Sequence, residues 1–211
     1  MNCAFTVIVG EQTYGKGTVQ SLVELNKMSR STSNDFGQLK YTIAKFYRIN
    51  GGSTQHLGVI PDIEFPSYID AHDFGESSEI TALPWDQIAP TNYQQYSNLN
   101  QVVPELNALS EKRRDNDIEF QFLKEDINSY NSSKDKKYIS LNAEKRKQEK
   151  DAEEEKDFER ENERREIKGL KLLDKGEVPD KTEETEDIYL NETAMIVTDM
   201  INLSGRITKV Q

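Results

Sequence analysis

Hydrophobic and polar positions in the first third of the chain alternate at the spacing typical of β-strands. The apolar stretch at 5–9 stops at a glycine and residues 18–25 alternate loosely, so each segment predicts one strand. Residues 39–49 give the strongest strand pattern, and neither face is purely polar, which predicts a strand covered on both sides. Two prolines restrict 58–66 to an edge strand or an extended loop.

The second half of the chain changes to the spacing of helices. Apolar residues recur three or four positions apart in 98–115, 117–130 and 188–203, which predicts three helices. Residues 131–137 interrupt this pattern, and 138–141 is predicted as a short strand. A β-rich part followed by a helical part predicts the α+β class.

Charged residues of both signs dominate the segment 143–175. Opposite charges recur three or four positions apart, as in Glu161 and Arg165, which predicts an exposed helix. The apolar residues do not form sustained heptads, so the pattern does not indicate a coiled coil. Residues 176–187 are polar and acidic and are predicted to be disordered.

The composition excludes several classes of function. The 211 residues carry a formal charge of −11, which argues against a general nucleic-acid binder because phosphate contacts need clustered lysine and arginine. A mean hydropathy of −0.80, without any long apolar run, excludes an integral membrane protein. One cysteine, Cys3, and two histidines, His56 and His72, give no basis for a disulfide framework or a metal cluster.

The stretch 10–20, GEQTYGKGTVQ, places a lysine between two glycines. A phosphate-binding loop would need serine or threonine directly after Lys16 and then a helix, whereas Gly17 and a predicted strand follow. Two interpretations remain. Gly15 and Gly17 permit unusual backbone angles that aim a partly buried lysine inward, where desolvation makes such an amine a general base for a serine. Alternatively, Lys16 is a solvated residue in a flexible turn.

Several motifs resemble, in order, those of the C-terminal processing peptidases, also called tail-specific proteases. The motifs are VIVGEQTYGKGTVQ at 7–20, GQLK at 37–40, FYRINGGSTQ at 46–55, GVIPDI at 58–63, GE at 75–76 and ALPWDQI at 82–88. The last motif resembles the larger periplasmic members, which carry a helical domain after the catalytic core. The resemblance therefore implies a periplasmic location.

The resemblance also implies the chemistry, a Ser/Lys serine endopeptidase that cleaves proteins near nonpolar C-terminal tails without metal or cofactor. By position, Lys16 resembles the family's general-base lysine, and Gln20 resembles the glutamine that orients this lysine in some members. The implied division of the chain is a C-terminal part of the catalytic core at 1–70, a linker at 71–92 and a helical domain at 93–211.

The chain departs from the family pattern upstream of the lysine. The family's nucleophilic serine precedes the lysine, and none of the fifteen residues before Lys16 is a serine. The PDZ-like module and the oxyanion-hole residues also lie upstream in the family. We therefore expect a C-terminal portion that is inactive alone and has the upstream part of the core as its partner. The alternative is a non-catalytic binding or scaffolding module whose acidic helical part is an interaction surface.

Overall fold

The chain combines small sheets with long helices, which confirms the predicted α+β class. A computed structural model describes residues 6–28, 35–93, 101–134, 136–177 and 186–207. The chain divides into two compact units, of which the first comprises 1–110 with 195–211 and the second comprises 111–194. All strands of the described residues, and all the motifs of the family resemblance, lie in the first unit.

Two antiparallel strands, β2 (Thr18–Glu24) and β3 (Gln38–Lys45), form the larger sheet. Both strands were predicted, although β3 ends before residue 49, and Tyr47 makes only an isolated bridge to Ser53. The register shifts after Val19, where β3 carries one extra residue.

The prediction that β3 is covered on both sides is wrong for the part of the chain that the structure describes. Seven of its eight residues are exposed, including Leu39, Tyr41 and Ile43. The alternation of apolar residues shows what a sheet face can bury, but it does not specify which segment covers that face.

The smaller sheet pairs β1 (Val9–Gly10) in parallel with β4 (Ile63–Glu64). The Asp62 carboxylate extends this pairing because its Oδ2 accepts from the backbone N–H of Ile8 at 2.8 Å. Ile63 is fully buried and Phe65 nearly so. The segments 5–9 and 58–66 thus contribute short strands, with residue 5 outside the described residues.

Helices follow the strands. They are α1 (Ala71–Phe74), α2 (Val103–Asn116), α3 (Ile118–Lys134), α4 (Ala143–Ile167) and α5 (Ile188–Ile207). The last four confirm the predicted helices, with 98–100 outside the described residues. Side chains of Asp117, Asn142 and Asp187 accept hydrogen bonds from backbone N–H groups in the first turns of α3, α4 and α5. None of the helices in the described part of the chain combines the length and apolar character that crossing a bilayer requires.

One predicted strand and two helix ends differ from the sequence-based expectations. Residues 138–141 form no strand, and α3 continues to Lys134 through part of the predicted break. The charged helix α4 ends at Ile167 rather than near 175 because Gly169 adopts a positive φ of 66°. The N–H of Gly169 then bonds to Glu166 O and that of Leu170 to Arg165 O, which is the hydrogen-bond pattern of a Schellman C-cap. Residues 178–185 of the segment predicted as disordered lie outside the described residues.

One face of α4 is less exposed than its charge pattern predicts. Arg160 is only 8% exposed and bonds to Asp126 and Glu125 of α3 at 2.8 and 2.7 Å. Its guanidinium also lies 4.7 Å from the centre of the Phe122 ring. The hydrogen bond from Arg160 lowers the pKa of the Asp126 carboxyl below its usual value. The hydrogen bonds of Arg160 to these two carboxylates therefore join α4 to α3 within the second unit.

We expect Arg160→Met to lower the free energy of unfolding by about 1–2 kcal/mol, because Met fills the space but leaves two carboxylates without this donor. Lys150→Met is the control, since Lys150 and its partner Glu154 are 73% and 64% exposed. Urea titration followed by helical circular dichroism measures both variants. Equal stability of the two variants would show that the Arg160 network contributes nothing to the second unit.

Candidate functional site

The turn that carries Lys16, residues 15–17, is held by backbone hydrogen bonds on both sides. Gly15 O accepts from His56 N and Gly17 O accepts from Phe46 N, each at 2.7 Å. Gly15 has a φ of +93°, and a side chain there would approach His56 O. We call residues 15–17 the Lys16 turn. The backbone of this turn is therefore fixed, while Lys16 itself is exposed, so the role of its amine stays a prediction.

The buried side chain of Gln55 stabilises the Lys16 turn through a hydrogen bond to its backbone. Gln55 is fully buried, and its Oε1 accepts from the backbone N–H of Gly17 at 2.9 Å. Its Nε2 donates to Glu76 Oε1 at 2.9 Å and to Leu83 O at 3.2 Å. Both ends of the amide are used, which fixes its orientation because the Gly17 N–H can only donate and the Leu83 carbonyl can only accept.

Glu76 is a buried acid beside the lysine. It is 8% exposed, and its Oε1 lies 3.9 Å from Lys16 Nζ. Its backbone N–H donates to Tyr14 O at 2.7 Å, so the main chain of Glu76 is joined to the residue just before the Lys16 turn. The preceding residue must be small, because a Cβ on Gly75 would collide with Ala71 O.

The amine of Lys16 remains available for chemistry. Its side chain is 44% exposed, and 3.9 Å is longer than a hydrogen bond. No hydrogen bond from Lys16 Nζ occurs among the described residues. A half-exposed amine on a fixed turn beside a buried carboxylate can exchange a proton with a group placed next to it. The strand β2 begins at Thr18, so the turn is followed by a strand, as predicted, and not by the helix that a phosphate-binding loop requires.

The segment 82–88 contacts residues 45–55, which include the support of the Lys16 turn. Trp85 Nε1 donates to Ser53 O at 3.0 Å, and Tyr47 donates to Asp86 Oδ2 at 3.1 Å. Lys45 forms an ion pair with Asp86 at 3.2 Å. Burial, together with the Asp86 carboxylate, raises the pKa of Tyr47. Since Leu83 O also accepts from Gln55, this segment helps to hold the support of the Lys16 turn.

Gln20, the second residue predicted for the site, lies in β2 opposite Thr42 with an exposed side chain. No hydrogen bond joins it to Lys16 in the described part of the chain. Its orienting role remains a prediction. Sequence reasoning gave no role to Gln55 or Glu76, although both lie in motifs that carry the family resemblance.

Comparisons with known proteins agree with the motifs. Residues 69–202 match the family model described as the C-terminal domain of tail specific protease, and residues 2–65 match Peptidase family S41. A tail-specific protease of Haemophilus influenzae is 41% identical over 199 residues, which cover 92% of this chain. The chain spans 28% of the length of that relative.

Proposed function

Because this chain belongs to the tail-specific protease family, we propose that it is the C-terminal part of a Ser/Lys endopeptidase in which Lys16 is the general base. The family supports a protease-related function. The observation that carries the specific role is the fixed Lys16 turn, which lies inside the segment matched to the peptidase family. It presents a half-exposed amine that makes no hydrogen bond to the residues that the structure describes.

The proposed reaction needs one group from outside these 211 residues, a serine hydroxyl placed next to Lys16 Nζ. The amine of Lys16 takes the hydroxyl proton while the serine oxygen bonds to the carbonyl carbon of the substrate. The lysine then gives the proton to the leaving amine, and water releases the acyl group by the same route. Gln20 is proposed to help orient the lysine, and the proposed chemistry needs no metal or cofactor.

We also propose the substrate class and the location. The substrates are proteins with nonpolar C-terminal tails, and the enzyme acts in the periplasm of a bacterium; the family resemblance supports both, and the relative's bacterial source supports the second. In the proposed division, 1–70 completes the catalytic core, 71–92 links it to the next part, and 93–211 is a helical domain. The exposed apolar residues of β3, such as Leu39 and Ile43, are proposed to contact the upstream part of the core.

The test is an exchange in the Haemophilus influenzae protease, in which this chain replaces the segment that it matches. We expect the chimera to cleave an unfolded protein ending in two alanines at least about tenfold faster than the same protein ending in two aspartates. Thermal unfolding of the chimera and its parent checks that both are folded. A second chimera that exchanges only residues 2–65 isolates the part matched to the peptidase family.

A folded chimera that cleaves neither substrate would contradict the proposed protease function. If that chimera still bound the alanine-tailed protein without cleaving it, the binding or scaffolding alternative would be favoured. Cleavage without any preference for the alanine tail would leave the chemistry in place but would overturn the proposed substrate class.

A further inference from the structure

The buried carboxylate of Glu76 lies close enough to the Lys16 amine to act on the charge of that amine as well as to support the fold. It lies 3.9 Å from Lys16 Nζ, and its own side chain is only 11% exposed, whereas the lysine side chain is 44% exposed. Water therefore solvates the lysine far more than the acid. A carboxylate held in this way keeps its position, while the amine beside it remains free to turn toward a reacting group.

The position of Glu76 is set independently of Lys16. Its main chain is bonded to Tyr14 O at 2.7 Å, and its Oε1 accepts from Gln55 Nε2 at 2.9 Å. Gln55 in turn holds Gly17 N, so the acid and the Lys16 turn share one rigid support. The position of the Glu76 carboxylate relative to the Lys16 turn is thus set by buried hydrogen bonds rather than by the ion pair itself.

We propose that Glu76 is the positioning residue of the general base, held by Gln55, and that its negative charge stabilises the ammonium form of Lys16 during acyl transfer. This inference rests on the proposed function of Lys16. When Lys16 takes the serine proton, a positive charge forms on Nζ as the serine oxygen bonds to the carbonyl carbon. In this role Glu76 acts through its charge and transfers no proton. A fixed carboxylate beside a cationic general base acts in the same way on the histidine of a Ser-His-Asp triad.

The test compares charge with shape at this position in the chimera that carries the whole chain. Glu76→Gln keeps the shape and the acceptor for Gln55 but removes the charge, whereas Glu76→Asp keeps the charge and shortens the side chain. We expect Glu76→Gln to lower kcat by roughly 10- to 100-fold with KM changed less than about twofold. Glu76→Asp should retain more activity than Glu76→Gln, which a purely structural role would not produce.

Glu79→Gln is the matched control, because Glu79 is exposed in the same segment and should retain the parent kcat. The inference is overturned if Glu76→Gln matches this control while Lys16→Ala is inactive. It is also overturned if Glu76→Asp loses more activity than Glu76→Gln. An active Lys16→Ala chimera would instead refute the proposed function on which the inference rests.

Discussion

Lys16→Ala is expected to abolish proteolysis by the chimera, with kcat/KM for the alanine-tailed substrate lower by about 10³- to 10⁶-fold. The serine hydroxyl would lose the group that takes its proton, and no other amine of the described residues lies on the Lys16 turn. Stability should change little, because the lysine side chain is 44% exposed and its ion pair is 3.9 Å long. Steady-state kinetics and thermal unfolding measure the two effects separately.

Two further variants distinguish a base from a mere positive charge. Lys16→Arg keeps the charge beside Glu76, but a guanidinium does not give up its proton near neutral pH, so this variant should also be inactive. Lys27→Ala removes an exposed lysine paired with Glu24 and should leave kcat/KM unchanged. If Lys16→Ala kept a substantial part of the parent activity, or if Lys16→Arg were active, Lys16 would not be the general base.

The Lys16 turn shows how far local sequence reasoning reaches. A lysine between two glycines, followed by a strand pattern, was enough to predict the turn and to argue against a phosphate-binding loop, whereas the choice of Lys16 as general base came from the family resemblance. The supporting residues were not predictable in this way. Gln55 is 38 positions from Gly17, and Glu76 is 21 positions from Gln55. Contacts at such separations leave no periodic signal, so only the folded chain shows that these residues meet.

The helices show a related limit. The spacing of apolar residues predicted α2, α3 and α5, because burial of one helix face imposes that spacing. The charged pattern of α4 predicted an exposed helix, yet Arg160 and Arg165 are buried. Long arginine side chains can bury their stems while their charged ends meet carboxylates, so charge alone does not identify the exposed face. The end of α4 depended on Gly169, whose left-handed conformation overrides the charge pattern that continues beyond it.

Gly17→Ala is expected to destabilise the first unit strongly. A Cβ at this position would lie 2.7 Å from Thr54 Oγ1 and 2.8 Å from Gln55 Cα, closer still to Gln55 N, and the backbone there is not free to withdraw. The Lys16 turn and the buried Gln55 would have to separate, which weakens the hydrogen bond between Gly17 N and Gln55 Oε1. We expect a loss of about 2–4 kcal/mol in the free energy of unfolding, from overpacking together with this lost bond.

Trp85 is the only tryptophan of the chain and bonds to Ser53, so its fluorescence during urea titration of the 211-residue protein reports on this region directly. Gly52→Ala is the matched control, because its new Cβ would meet side-chain atoms only at 3.4 and 3.7 Å. We expect that control to change stability by less than about 1 kcal/mol. Equal stability of the two variants would show that the close approach of Gly17 to Gln55 is not required. The measured difference therefore tests the rigid support on which the roles of Lys16 and Glu76 both depend.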